Sequence, residues 1–555
     1  MSTLAEILLL WRNPLFVKGV RSRLRLRHVA VGATLTLLLA SFLFLLVYLT
    51  GTERGLVDPP MAARATLVPL LILQGLILML LGTGSVASGI AVERDSGMLD
   101  FHRLTPRPTA AKIVGCLFGL PVREYLLFAG TLPFVGLAVT LGKIPFLKVL
   151  HLYVVFFSAV ILYHLTGFVS GMIAARPRRA SWIAQAAIVA LYLFLPQLST
   201  LGLTVFGYLT IIPAFRAILA DDLGLGRRPL QRIAAAAGLT EDHAVPFFAT
   251  AVNPTIYTLL LQGALAATFF VVVHRKWTRE GRPALSKAYA TALFAGLMVL
   301  LAGSLWPFLA GERQLAVLRS LPRALRGFPQ IQISLCAFLV VATAAAVLLL
   351  HVVTPTRHAR IAGLRRAQKR GPGRGLPIGS DAAPGAPVAL VLAALVAAAY
   401  ALLARATFAS GALTGAPPAA ALAAPAALAG LLILSAQAAR ETWDPRGFGL
   451  FLLLAWLMPS LAFLVASAAW NPSRLAAHLT IASPFTALYF SVAAVTGGTS
   501  VWEGAAHAPR LDVVDLTGSA LGVHGLIALA MLRLRSREAR AREAEAERPP
   551  GRDAP

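Results

Sequence analysis

Apolar runs long enough to cross a bilayer recur along the whole chain, and nothing else in the sequence limits its folding so tightly. An α-helix rises about 1.5 Å per residue, so about 20 apolar residues cover a hydrocarbon core of about 30 Å. By that rule, spans are expected near 29-50, 65-92, 113-141, 147-175, 181-213 and 251-274. A second set follows near 288-310, 331-353, 387-404, 419-438, 449-469 and 515-533. In lipid the backbone must satisfy its own polar groups, and runs of this length do so as helices. The expected fold is therefore an all-α polytopic membrane protein of about twelve transmembrane helices. Composition agrees: 57% of residues are apolar and 13% charged, against about 45–50% and about 25% in soluble domains.

The net charge of +26 could advertise a nucleic-acid binder. The bases are instead dispersed in short loops between apolar runs, which is the layout of charges that anchor a topology. With the amino terminus inside, most of the 50 Lys and Arg fall on the inner side. Cytoplasmic amino and carboxy termini, and no nucleic-acid partner, are the expectation. Cys116 and Cys336 both sit in apolar runs, so neither a disulfide framework nor a metal site is expected. No phosphate-binding loop, H-E-x-x-H or G-x-S-x-G pattern occurs. The chain is thus expected to carry no catalytic residue, metal or cofactor, and to hydrolyse no ATP itself.

Punctuation divides the chain further. Residues 1-28 carry Arg12, Lys18, Arg21, Arg23, Arg25 and Arg27 and read as an amphipathic helix on the inner surface, with Leu8, Leu9, Trp11, Leu15 and Phe16 toward lipid. Residues 29-280 hold six spans, and 281-353 hold spans seven and eight. A basic cytoplasmic linker follows at 354-386, helical before Gly371; its bases either contact acidic headgroups of membrane lipids or an acidic partner, or serve only to fix the topology. The remaining spans lie at 387-533. The tail 534-555 reads as a solvated helix extension, with Glu538 and Arg542 at helical spacing. Residues 483-497 are apolar but half a bilayer long and read as a re-entrant element. Asn253-Pro254-Thr255 with Tyr257, and Ser483-Pro484-Phe485-Thr486 with Tyr489, each precede a span with a basic exit. That echo suggests two six-helix halves with a seam near 281-287.

The loop 93-112 holds more charge than a turn needs: Glu93, Arg94, Asp95, Asp100, Arg103, Arg107 and Lys112. Leu99 and Leu104, with Met98 and Phe101, are expected to give one apolar face to a short helix starting near Ser96 and ending before Pro106. Tied to two spans, that helix would be a lever for a soluble partner.

The run Glu93-Arg94-Asp95-Ser96-Gly97-Met98-Leu99-Asp100, closing with Leu104-Thr105-Pro106, resembles the signature that follows the second span in type-2 ABC transporter permeases. Asn13-Pro14, Lys18, Arg21 and Arg23 resemble the opening of the same family. Gly19 stands where that family often has Glu, so a salt bridge from that Glu is not expected. The resemblance covers about residues 10 to 280. It implies a connecting helix built on Asn13, Pro14, Lys18 and Arg21. It further implies a coupling helix at Glu93, Arg94, Asp95, Gly97, Leu99, Leu104, Thr105 and Pro106, which would dock a separate ATP-binding subunit acting as a dimer. On that basis 29-280 would be a six-span permease domain of an exporter in a bacterial inner membrane. Ala439 to Phe448 is either a degenerate second coupling contact or an ordinary polar turn capped before Pro445.

Other residues carry their own expectations. Arg123 and Glu124 are candidate intramembrane charges, or else they begin the true third span if 113-120 lies along the interface. His151 and His164 lack acidic partners and read as core or interface histidines. Gly115/Gly119 and Gly167/Gly171 suit close helix packing. An alternative function, a membrane-embedded enzyme acting on lipid-linked substrates, would draw on Arg216, Asp221, Asp222, Glu241, Asp242 and His243.

Overall fold

The computed structural model describes residues 10–53, 57–174, 176–223, 244–279, 281–309, 330–369, 376–410, 419–461, 481–496 and 513–547. It divides into two compact units, the first drawn from 1–199, 204–245 and 251–280, the second from 200–203, 246–250 and 281–555.

In the first unit, α1 (Pro14–Arg23) precedes α2 (Leu26–Glu53). The long helix α3 (Pro59–Asp95) ends at a short helix, α4 (Met98–Leu104). Then come α5 (Thr109–Gly119), α6 (Val122–Leu141), α7 (Phe146–Ile173), α8 (Pro177–Ser199), α9 (Ile212–Leu223) and α10 (Pro254–Thr278). A small hairpin, β1 (Val245–Phe247) with β2 (Thr250–Val252), precedes α10 in the chain. The second unit contains α11 (Lys287–Leu309), α12 (Gln330–Val353), α13 (Arg357–Gln368), α14 (Ala386–Ala409) and α15 (Ala419–Thr442). It continues with α16 (Pro445–Leu461), α17 (Pro484–Thr496) and α18 (Val513–Glu547).

Among the described residues, 11 helices are long and apolar enough to cross a membrane. Val31, Leu35, Leu38 and Phe42 of α2 lie exposed along one such helix. Surface of that kind is unfavourable in water by about 25 cal/mol per Å² and neutral in lipid. The chain is an all-α polytopic membrane protein.

Several expected spans change shape. The third, 113-141, is two helices, because Pro121 offers no N–H and its ring clashes with the preceding turn. The fifth, 181-213, stops at Ser199; Gly202 follows at φ +89°, a left-handed conformation that ends an α-helix, and α9 begins separately. Of the eleventh, 449-469, the described part belongs to α16, and 462–480 lies outside the described residues. α17 has 13 residues, mostly buried, about 20 Å of helix. Residues 1–9, with Leu8 and Leu9, also lie outside the described set, while Trp11 is exposed.

A π-helical turn, Leu76–Gly82, interrupts α3. Such a turn loosens the backbone ladder, and side chains collect the carbonyls it offers. His164 Nε2 lies 3.0 Å from the Leu78 carbonyl and Gln185 donates to Leu80 at 3.3 Å. A carbonyl only accepts, so Nε2 is the donor, and Nδ1 of a neutral ring is left to accept from Tyr125 Oη, 3.4 Å away. His164 is thus a satisfied core histidine, whereas His151 is exposed. α7 approaches α3 closely where Gly167 and Gly171 face the Thr83 and Ala87 carbonyls.

Candidate functional site

The loop after α3 is built from both of its ends. α3 stops at Asp95 because Gly97 turns back at φ +74°, and no atom within 4 Å occupies the place of its missing Cβ. A left-handed turn of this kind costs an L-residue about 1–2 kcal/mol and glycine nothing. α4 then runs Met98–Leu104 and ends where Thr105 turns extended before Pro106. The Thr105 hydroxyl donates to the His102 carbonyl at 2.8 Å, and the Thr105 carbonyl accepts from Lys112 Nζ at 2.9 Å.

The expected single apolar face is corrected. Leu99 is buried with His102, while Met98, Phe101 and Leu104 are exposed, Phe101 at 61% and Leu104 at 86%. Five residues at about 100° each place Leu104 on nearly the opposite side from Leu99. One side of α4 therefore seals the bundle, and the other presents apolar surface away from it.

Four basic side chains fix this loop to the rest of the unit. Lys18 of α1 pairs with Glu93 at 2.8 Å, a half-exposed cation on a nearly buried carboxylate. Arg94 bonds Asp95 at 2.7 Å and donates to the carbonyls of Gly171 and Ala174 at the end of α7. Arg103 pairs with Asp100 and reaches the Trp277 and Lys276 carbonyls at the end of α10. Lys112, buried on α5, holds the Thr105 carbonyl. A seven-residue helix is too short to be stable alone; here each end and one flank is tied to a longer element.

α1 is seated with little clearance. The Asn13 side chain accepts from the Leu15 N–H as an N-cap and donates to the Ala111 carbonyl at 2.6 Å. A Cβ on Gly19 would collide with the Gly119 carbonyl oxygen, so glycine at 19 is what allows α1 to lie on α5. The ion pair of α1 is made by Lys18. Pro14 opens the helix, and Arg21 is exposed on it.

His102 and Glu93 face each other less closely, Nε2 to Oε2 at 4.0 Å, and neither atom has a hydrogen-bond partner among the described residues. Burial holds the His102 imidazole below its ordinary value; Glu93 opposes that, while Lys18 and Lys112 add to it. Burial likewise lowers Lys112.

The remaining candidates separate. Arg123 and Glu124 stand in the first turn of α6, the start of a candidate span, 3.0 Å apart. Glu124, 1% exposed, also accepts from the Ser85 hydroxyl of α3 at 2.8 Å. In the second unit, Ala439 to Phe448 comprises the end of α15, a two-residue turn at Trp443 and Asp444, and the start of α16, which Asp444 caps through the Gly447 N–H at 2.8 Å. Arg216, Asp221 and Asp222 lie on α9, and Glu241, Asp242 and His243 fall outside the described residues. No cluster of His, Cys, Asp or Glu able to hold a metal occurs among the described residues.

The second unit holds a buried cluster around Glu441, within the run Ala439 to Phe448, whose partners on α13, α15 and α18 the sequence does not identify. Glu441, 4% exposed, accepts from the Gly385 N–H at 2.6 Å, the Gln437 amide at 2.9 Å and the Arg535 guanidinium. Arg360 Nη1 lies 4.0 Å from the same carboxylate, and Arg542 Nη2 donates to the Glu441 backbone carbonyl at 2.5 Å. The tail expected to be solvated is thus partly buried: Arg542 is 7% exposed. The Glu538–Arg542 spacing, which does form an ion pair at 3.7 Å, is a sequence signal on this tail. No family model, curated protein or solved structure matches this chain.

Proposed function

We propose that this chain is the membrane permease of an ATP-driven ABC exporter, energised by a separate ATP-binding subunit that grips the loop after α3. The observation carrying this reading is the two-sidedness of α4. Leu99 and His102 face the bundle, Met98, Phe101 and Leu104 face away, and the loop is pinned to α1, α7 and α10. An apolar patch on a short helix amid charged residues is a docking surface. Its attachments mean that displacing it moves several apolar helices together, which is what coupling ATP hydrolysis to transport requires. The motif resemblance at Glu93 to Pro106 supplies the class of partner and the direction, and an inner membrane is the corresponding location.

Burying Phe101 and Leu104 on a partner contributes about 3 kcal/mol or more, or about a hundredfold in affinity. Tagged chain pulled from its native membranes should therefore bring an ATPase activity with it. Phe101→Ser with Leu104→Ser should lose that activity while melting at an unchanged temperature, since both side chains are exposed. Retention of the ATPase by the double variant, or turnover of a lipid-linked substrate by the chain alone, would overturn the reading.

A further inference from the structure

The second unit concentrates positive charge beyond what its carboxylates neutralise. Arg357 and Arg360 of α13, Arg440 at the end of α15, and Arg535 and Arg542 of α18 gather about Glu441, Glu538 and Asp444. Arg542 is repelled by Arg360 and Arg357, and Arg440 by Arg542. His351 of α12 also faces Arg440, and Lys287 faces Glu441 and Asp381, donating to the Ile378, Ser380 and Ala383 carbonyls.

Glu441 has little capacity left. One carboxylate oxygen takes Gly385 and Gln437, and the other takes Arg535. Asp444 is engaged as a helix cap. Arg360, Arg440 and Arg542 are 9%, 7% and 7% exposed, yet their donors are poorly used. The Nε atoms of all three lack a hydrogen-bond partner among the described residues. Arg440 makes one long bond, 3.5 Å to the Trp443 carbonyl. Arginine does not neutralise itself by losing a proton, so buried, under-paired guanidiniums are costly.

An anion with several acceptor oxygens removes that cost, and a phosphate group matches the planar guanidinium fork. The surroundings select for it. α12 and α15 end their apolar stretches at Val353 and Thr442, next to this cluster, and Arg365, Arg366, Arg533 and Arg537 extend the positive field. We propose that Arg360, Arg440 and Arg542 form a binding site for a phosphate group, carried either by an anionic phospholipid at the membrane surface or by free phosphate. This site is independent of the transporter reading.

The test uses full-length protein in a nonionic detergent, with melting temperature and native mass spectrometry as readouts. Phosphatidylglycerol in mixed micelles, or inorganic phosphate, should raise the melting temperature; the phospholipid should also appear as a retained adduct. Stabilisation by the phospholipid alone assigns the source as lipid, and stabilisation by both assigns the phosphate group itself. Arg360→Gln with Arg440→Gln should weaken binding about tenfold or more. If that variant fails to fold, Glu538→Gln decides. Glu538 is half-exposed and competes for Arg542, so its loss should tighten binding. Absence of any stabilisation, equal stabilisation of the double variant, or no tightening by Glu538→Gln overturns the site.

Discussion

Glu93 and Glu441 each stand at the end of a long apolar helix, and each is held by a cation from a helix that precedes two spans. Lys18 lies on α1, ahead of α2 and α3; Arg360 lies on α13, ahead of α14 and α15. Beyond that common plan they diverge. Glu93 has one close cationic partner, half-exposed, and one carboxylate oxygen without a hydrogen bond among the described residues. Glu441 has three arginines on its carboxylate and backbone, together with a backbone N–H and an amide. The chain also continues differently: Glu93 leads into a left-handed glycine and a separate helix with an exposed apolar side, Glu441 into a two-residue turn. The Lys18–Glu93 pair, screened by solvent, can open at small cost, and the pairs on the buried Glu441 cannot. Similar local ingredients produce a movable contact or a lock according to how many cations converge.

The largest expected effect tests the lock. Glu441→Ala leaves the buried Arg360 and the partly exposed Arg535 without their counter-charge, which costs about 3 kcal/mol. Thermal unfolding followed by tryptophan fluorescence should show a drop of several degrees or loss of folded protein. Were the variant to melt like the parent, the contrast with Glu93 would vanish.

Next comes the seating of α1. Gly19→Ala drives a methyl group into the Gly119 carbonyl oxygen, a backbone atom that cannot swing aside. Overpacking of this sort costs about 1–3 kcal/mol, and limited trypsin digestion at Arg21 should accelerate. An unchanged digestion rate would mean that α1 is not seated on α5. Gly97→Ala meets no atoms, so its cost is that of left-handed backbone alone, about 1–2 kcal/mol. It should weaken ATPase retention more than it lowers the melting temperature, and the reverse ratio would make Gly97 a folding residue only.

Glu93→Gln should cost about 1 kcal/mol or less, because Lys18 is half-exposed and its ion pair is screened by solvent. A loss as large as that of Glu441→Ala would erase the distinction between the two carboxylates. Smallest is the effect of acid. The folded state holds the His102 imidazole below its ordinary 6.5, so the unfolded chain takes up this proton first. Stability should fall as pH drops through about 6.5, and level off once folded His102 is protonated as well. His102→Gln should flatten the change in melting temperature across that pH range; an unaltered slope would assign the effect to other groups.

Much of the fold is legible in the residues because its causes are local. Apolar length marks the helices, and Gly97 and Pro106 bracket α4, whereas apolar length ran the expected spans 113-141 and 181-213 straight through the breaks at Pro121 and Gly202. The loop 93-112 stands out by its charge and by its motif, and α13 by its basic run. Leu104 shares the apolar character of Leu99 but not its face, because five residues of helix turn it about 140° away. Tertiary structure alone decided the rest. Lys18 meets Glu93 across 75 positions, Arg535 meets Glu441 across 94, and Arg542 reaches the Glu441 backbone across 101. Hydropathy and backbone preference act within a turn or two of chain, whereas an ion pair in a low-dielectric interior is selected by which helix ends packing brings together, and no local pattern records that choice.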